Sequence, residues 1–255
     1  MKLMTYNILN GAQEQFETII QVVNGQAPDF LTINETNGFD LNDNQTLREF
    51  AGKTGFPYFD LALCGDGADY HVAVLSKYPF EHIKHLDGFA RAAIAVTLKA
   101  DLGTMSIIGA HLTPYTEAAR LDEIDAIIAY QKPFANRVIM GDLNSLSPAD
   151  NYDPTMIFAF NAMQTKKFTA KERLLFDATT KLIAAGYVDP AVLTSQQTIY
   201  TAPTNINEFR AHSNMRLDYI LLSESLNNKL TDYTVVKNSV TNEASDHYPV
   251  VVELL

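Results

Sequence analysis

Two spacings of apolar residues alternate along the chain. "KLMTYNIL", "DFLTINE", "YFDLAL", "YHVAVLS", "RAAIAVTL" and "GTMSIIGAHL" are short apolar or alternating runs with strand character. Between the first two, "EQFETIIQVVNG" sets Phe16, Ile19, Ile20 and Val23 at helical spacing and then meets the breakers Gly25 and Pro28. "NQTLREFAGKTG" reads as a second helix. Residues 117–130 read as a third, through Leu121, Ile124 and Ile128, with Glu117, Glu123 and Asp125 on its solvent face. "ANRVIMGD" is a compact strand. Residues 148–198 begin polar and loop-like and turn helical over "TAKERLLFDATTKLIAAG". "RLDYILLS", "DYTVVKNS" and "YPVVVELL" supply late strands. With no linker, low-complexity tract or internal repeat, the pattern predicts one domain over 1–255, two packed sheets with helices outside. A doubly wound parallel sheet is the second reading, weakened by the clustered strands between 58 and 111.

Composition changes this picture little. Hydrophobic residues make up 47% of the 255 and charged residues 19%, as in an ordinary folded protein. A single cysteine, Cys64, excludes an intramolecular disulfide. The N-terminus lacks a secretory core with a cleavage site, and no stretch approaches the roughly 18 apolar residues of a membrane span. A cytoplasmic monomer is expected. Charge changes more. With 19 Lys and Arg against 30 Asp and Glu, the net charge is −11, and no basic run offers itself to a phosphate backbone. On charge alone a small-molecule or lipid-headgroup substrate is favoured over nucleic acid.

The chemistry collects where the apolar runs stop. Asn7 interrupts the first run, Glu35 ends the second, His111 ends "MSIIGAH", and Asp142 ends "RVIMGD" with Asn144 two residues on. Asp218 sits inside "RLDYILL", and Asp246 and His247 precede "YPVVVELL". One Asp after a strand is usually a turn or helix cap. A polar group ending nearly every strand, some within apolar patterns that require them to be partnered, points instead to a convergent site. Its oxygen-rich donors suit a hard cation, Mg²⁺ or Mn²⁺, and two histidines are too few for a three-histidine zinc site. Carboxylates, two histidines and a hard cation together suggest phosphoester hydrolysis. No phosphate-loop, zincin or dinucleotide motif is present, and "GDGAD" at 65–69 reads as a loop.

"TYNI", "NE", "AVLSKYP", "HLTP", "GDLN", "RLDYI" and "SDHYPV" occur in an order that resembles the endonuclease/exonuclease/phosphatase superfamily, from residue 5 to residue 250. That group includes deoxyribonucleases, exonuclease III, apurinic endonucleases, sphingomyelinases and inositol-polyphosphate 5-phosphatases. The resemblance implies an α+β fold, a four-layer α/β/β/α sandwich, and a divalent-metal phosphoesterase. It implies that Glu35 is the principal Mg²⁺ ligand with Asn7 and Asp246 close to the metal, and that Asp218 orients His247. It implies that Asp142 and Asn144 bind the phosphate and the attacking water. The general base stays open among Asp142, His247 and metal-bound hydroxide. His111 resembles the deoxyribonuclease-like branch, where exonuclease III-like members carry Tyr.

Other positions have a sharp and a bland reading. His71 and Arg91 are candidate substrate contacts, or a strand-edge histidine and a salt-bridged arginine. Arg120 is expected to pair with an acidic neighbour, and Arg216 to cap its strand. His82, His85 and His212 read as surface residues, and Tyr115 as a cover for the pocket mouth. Residues 148–176 look like a substrate-side insertion, with Phe158, Phe160, Phe168 and Phe176 able to stack a substrate or to pack as a satellite core. The leading reading is metal-dependent hydrolysis of a phosphoester. A DNA endo- or exonuclease on the same fold is the alternative, and a noncatalytic binding protein a remote one.

Overall fold

Leu3 and Met4 are sequence neighbours that belong to different cores, because successive side chains of a strand point to opposite faces. The same division separates Phe30 from Leu31, Val74 from Leu75, and Val138 and Met140 from Ile139. These strands are therefore covered on both faces, which is why their sequences read as continuous apolar runs. Each fully buried Leu, Ile, Val or Phe contributes about 1.5–3 kcal/mol.

The computed structural model describes residues 1–208 and 210–255. Its strands are β1 (Lys2–Asn7), β2 (Phe30–Asn34), β3 (Tyr58–Ala62), β4 (Val72–Ser76), β5 (Phe80–His85), β6 (Ala92–Ala100), β7 (Gly103–His111) and β8 (Asn136–Asp142). They continue with β9 (Thr169–Ala170), β10 (Arg173–Leu174), β11 (Tyr187–Val188), β12 (Asp218–Ser223), β13 (Leu230–Val235) and β14 (Val250–Leu254). One six-stranded sheet has the order β13-β14-β1-β2-β4-β3, the other β11-β12-β8-β7-β6-β5. Leu3, Val74, Ile107 and Val252 pack between them. Helices α1 (Phe16–Gln26) and α2 (Leu41–Thr54) cover the outer face of the first sheet through Ile19, Val23, Leu47 and Phe50. Helices α3 (Glu117–Gln131) and α5 (Asp177–Ala184) cover the second through Ile124, Ile127, Ala178 and Leu182, and α4 (Ala162–Phe168) and α6 (Pro190–Leu193) are short. The chain is the four-layer α/β/β/α sandwich that its sequence predicts, with mostly antiparallel mixed sheets. No helix among the described residues is long and apolar enough to cross a membrane.

Each sheet holds one parallel pair at its middle, β1 with β2 and β7 with β8. A parallel pair sets two C-terminal strand ends side by side, and here the register aligns Asn7 with Asn34 and His111 with Asp142. The antiparallel neighbour β12 aligns its first residue, Asp218, with Asp142. Topology therefore delivers distant sequence positions to one edge of the sandwich.

Several sequence readings are corrected. Glu117 and Glu123 do not face solvent. Glu117 pairs with Arg120 at 2.8 Å, and Glu123 accepts from the amides of Thr113 (2.8 Å) and Ala90 (2.9 Å). The long "TAKERLLFDATTKLIAAG" helix is confined to α5. Before it the chain pairs β9 with β10 around Lys171 and Glu172, both at positive φ (49° and 59°), and Phe168, Leu174 and Phe176 gather on a satellite core with Leu146 and Leu217. Strand β5 left little sequence signal because most of its residues are exposed at a sheet edge. Arg216 is no strand cap: fully buried, it bonds Asp150 and Asp189, each at 2.6 Å.

Candidate active site

The two sheets approach closely at the edge where the parallel strands end. A Cβ on Gly109 would lie 2.8 Å from Val74 and 2.9 Å from Thr32 of the opposing sheet. Gly141, at φ +145°, would place one 1.8 Å from the Ala110 carbonyl, so the glycine before Asp142 is required by its strand neighbour. Asn34 bridges the gap, donating to the Ala110 carbonyl at 3.0 Å and accepting from the Asp142 amide at 2.9 Å.

On this staple sits a buried cluster. The Asn7 amide donates to Glu35 Oε1 and to Asp142 Oδ2, each at 3.2 Å, while its oxygen accepts from the Leu9 amide at 3.1 Å. As placed, Asn7 presents nitrogen to the carboxylates and spaces them. Glu35, at φ +62°, also accepts from the Asn10 amide at 3.1 Å. Burial pushes the Glu35 carboxyl above its ordinary value, and the charge of Asp246 adds to this. Asp142 accepts from the Asn144 amide at 2.8 Å, and His111 Nε2 lies 3.5 Å from its Oδ2. Burial alone would raise Asp142, but His111, His247 and Lys167 bring it below the usual carboxylate range. Burial takes His111 the other way, down to about 4.

Opposite them, His247 Nδ1 meets Asp218 Oδ2 at 2.7 Å, and Thr201 donates to the same oxygen at 2.6 Å. Burial opposes charge on the His247 ring, yet Asp218, Asp246 and Asp142 hold it protonated up to about 10. Asp246 is buried too, but His247 and His212 keep its carboxyl below its ordinary value. The site thus carries a neutral histidine, an imidazolium and two carboxyls, Asp142 and Asp246, held below their ordinary range, while burial raises Glu35 and Asp218.

All eight core residues expected from sequence converge here: Asn7, Glu35, His111, Asp142, Asn144, Asp218, Asp246 and His247. His71 and Arg91 do not join them directly. His71 is buried in a separate cluster, accepting from the Cys64 amide at 2.9 Å and facing Asp69 (2.9 Å) and Asp40 (3.4 Å). Arg91 pairs with Asp66 at 3.0 Å, its guanidinium 4.1 Å from the Tyr70 ring and 5.7 Å from that of Tyr115, whose hydroxyl donates to Asp66 at 2.8 Å. His212 is not a surface residue. Its ring packs edge-on to His247 with centroids 4.8 Å apart, and Nε2 meets Asp246 at 3.1 Å. Sequence reasoning also passed over Asn34, Thr201 and Lys167; only Asn34, a polar residue closing an apolar run beside Glu35, left a signal.

Three groups place one donor atom per residue within 4.8 Å of one another: His212, Asp246 and His247; Asp142, Asp218 and His247; and Asp40, Asp69 and His71. The first two share the active-site edge. Asp218 Oδ1 is buried there without a hydrogen-bond partner. Glu35, raised by burial beside Asp246, is a carboxylate whose cost a nearby cation would offset. The donors fit a divalent metal ion.

No curated protein sequence matches the chain. Among solved structures, an AP endonuclease from Archaeoglobus fulgidus aligns over 100% of this chain and 99% of its own, with TM-score 0.76 and 18% identity. A 3′ phosphatase from Neisseria, bound to product DNA hairpin, aligns over 100% and 99% with TM-score 0.71 and 18% identity. An endonuclease/exonuclease/phosphatase from Beutenbergia cavernae aligns over 100% of this chain and 71% of its own, with TM-score 0.68 and 18% identity. At such identities these likenesses establish the fold. The sequence pattern of the Endonuclease/Exonuclease/phosphatase family matches residues 4–247, a span that holds every residue of the convergent site, and the chain belongs to that family.

Proposed function

We propose that the protein hydrolyses a phosphoester bond of nucleic acid with a divalent cation, Mg²⁺ or Mn²⁺. The observation that carries the reaction is the Asp142 carboxylate, held ionised between His111 and the Asp218–His247 pair. Glu35, bonded by the Asn7 amide, and Asp246 would hold the cation, which when bound would neutralise charge on the phosphoryl oxygens. Asp142 positions the attacking water and takes its proton at Oδ2 as the new P–O bond forms; the P–O bond to the leaving group breaks, and the departing oxygen takes up a proton from water. With Nδ1 committed to Asp218, His247 offers its Nε2–H to a non-bridging oxygen. Asn144, anchored to the Leu112 carbonyl at 2.8 Å, has its second amide N–H for the phosphate. Neutral His111 borders Asp142 without competing for the substrate's negative charge.

Nucleic acid is favoured over the small-molecule reading for two reasons. Two structural relatives are an AP endonuclease and a 3′ phosphatase bound to product DNA hairpin. The stacked Tyr70, Arg91 and Tyr115 also supply π faces and a cation of the kind that hold bases and backbone. The net charge of −11 describes the whole chain and not the surface beside the site. Purified protein with Mg²⁺ or Mn²⁺ is expected to turn over abasic, plain or 3′-phosphorylated DNA well above nucleotides, phosphoinositides, sphingomyelin or bis(p-nitrophenyl) phosphate. A lipid or small phosphoester turned over tenfold faster than any DNA would overturn the substrate assignment.

Chelator should abolish activity, and Mg²⁺ or Mn²⁺ should restore it. Glu35→Gln should weaken metal binding in calorimetry while the circular dichroism spectrum stays native. Full activity in chelator, or unchanged metal affinity in the variant, would remove Glu35 from the metal site.

A further inference from the structure

Lys166 and Lys167 are adjacent in α4 and have opposite surroundings: Lys166 is exposed, whereas Lys167 is buried, 8% exposed. Nothing local in "QTKKFTA" separates them. Tertiary structure does, by fixing α4 at both ends. Asn161 and Gln164 form a reciprocal cap at the start of the helix. The Gln164 side chain also donates to the Arg210 and Ala211 carbonyls and to the Ser213 hydroxyl, at 3.3, 3.2 and 3.0 Å, tying α4 to the loop that carries His212. At the other end the buried Arg120 donates to the Lys167 carbonyl at 2.5 Å and to the Thr113 carbonyl at 3.1 Å, two residues beyond His111. Phe168 anchors the following residue in the satellite core. One buried guanidinium thus sets the backbone of Lys167 against the strand end that carries His111.

The ammonium so placed has no hydrogen-bond or ion-pair partner among the described residues, and the Phe168 ring lies 4.9 Å from Nζ to the centroid. A buried cation is ordinarily paired. Burial pushes Lys167 down to about 8, and of the charges that oppose this, Asp142 acts most strongly and Glu35 after it. In return Lys167 acts on Asp142, His111 and His212. Arg120 thus fixes the backbone of Lys167 beside the loop that follows His111, and the ammonium is near enough for its charge to act on Asp142 and Glu35.

We propose that Lys167, in the 148–176 stretch, is a phosphate anchor that binds the non-bridging oxygens of the phosphoryl group. This rests on the phosphoesterase reading of the same site and extends it to a residue from a different part of the chain. An ammonium is attracted more strongly to the dianion of a terminal phosphate than to the single charge of an internal diester, so the anchor favours chain ends carrying a phosphomonoester.

The test compares wild type with Lys167→Met, which keeps the stem and removes the charge, and with Lys167→Arg. Calorimetry with inorganic phosphate in the presence of Mg²⁺ is expected to show affinity falling at least tenfold in Lys167→Met and recovering in part in Lys167→Arg. The melting temperature should stay level or rise, since an unpaired buried charge is removed. On 3′-phosphorylated DNA the loss should appear as a raised KM, larger than on an uncleaved duplex. Unchanged phosphate affinity in Lys167→Met overturns the anchor, as does a lowered melting temperature with normal phosphate affinity, which marks a structural lysine. Because phosphate binding is read without turnover, a wild type that binds phosphate through Lys167 yet hydrolyses no phosphoester would overturn the reaction while retaining the anchor.

Discussion

Asp142→Asn should leave a folded protein with turnover reduced roughly a hundredfold or more, the scale of losing a positioned proton acceptor. The sequence offered two readings of "IMGDLNSLSP", a catalytic carboxylate or a turn cap, and the structure shows the turn on one carboxylate oxygen while the other faces the cluster. Asp142 Oδ1 accepts from the Asn144 amide at 2.8 Å, an Asx turn, and Ser147 caps the short helix that follows by accepting from the Ala149 amide at 3.3 Å. The other oxygen faces Asn7 and His111. Asparagine can keep the turn through its remaining oxygen. What it loses is the charge between two histidines and the acceptor at Oδ2, where an added NH₂ would meet the Asn7 amide. The cap is worth about 1 kcal/mol, and a loss of that size lowers the melting temperature by about 2–4 °C in a chain of this length. Thermal melting and single-turnover kinetics on the same preparation decide the matter. A variant that melts well below wild type but turns over normally while folded would assign Asp142 to architecture alone.

Strict strand alternation would set Asp142 and Asn144 on one face with Leu143 on the other, and Leu143 does pack in the outer core. But β8 ends at Asp142, and Asn144 has left-handed backbone, φ +50°. The turn made by Asp142, not the pleat, aims Asn144. This difference separates what was legible in the sequence from what was not. Alternation reports burial, so β1, β2, β7 and β8 were found, and with them the polar residues that close them. Strand β5 and the β9–β10 hairpin have little buried alternation and escaped, while "TAKERLLF" has the composition of a helix but is held extended by the satellite core beneath it.

The site divides on the same line. Asn7, Glu35, His111, Asp142 and Asp218 each interrupt or end an apolar strand, a contrast one sequence displays. His212, Lys167 and Thr201 lie in polar surroundings where a functional side chain looks like its neighbours. Arg120 pairs with an acidic neighbour, Glu117, as expected, but the burial of Glu117 and Glu123 beside it was hidden for a further reason. Their charges sit on an apparently amphipathic helix, and only the fold shows that this face is turned toward the loop after His111, where it bonds the Thr113 amide and carbonyl and the Lys167 carbonyl. Charged residues on a helix were assigned to solvent because burial costs them heavily; here that cost is offset by pairing.

His247→Ala should lower kcat by roughly 10²–10⁴-fold, and it should also destabilise the fold, by about 3–5 kcal/mol, as removal of one partner from a buried pair does. Asp218 is fully buried; without the ring it keeps the Thr201 hydroxyl on Oδ2, and its Oδ1 already lacks a partner. The kinetic loss must therefore be counted per folded molecule, at a temperature well below the variant's melting point. A pH experiment separates the ion pair from simple packing. In chelator the His247 ring is protonated up to about 10, above its ordinary 6.5, through Asp218, Asp246 and Asp142 acting against burial. A histidine raised by folding adds stability that is complete below its unfolded value and disappears as pH climbs through its folded value. Wild-type melting temperature in chelator should accordingly fall between pH 7 and 10, and that fall should be absent in His247→Ala. His111 offers the internal contrast: already neutral near pH 7, it contributes nothing to that slope, so His111→Ala should keep the wild-type fall, although kcat falls if His111 touches the reacting groups. A wild-type melting temperature flat from pH 7 to 10, together with near-normal kcat in folded His247→Ala, would reduce the Asp218–His247 contact to a packing feature and leave Asp142 without its charged partner across the cleft.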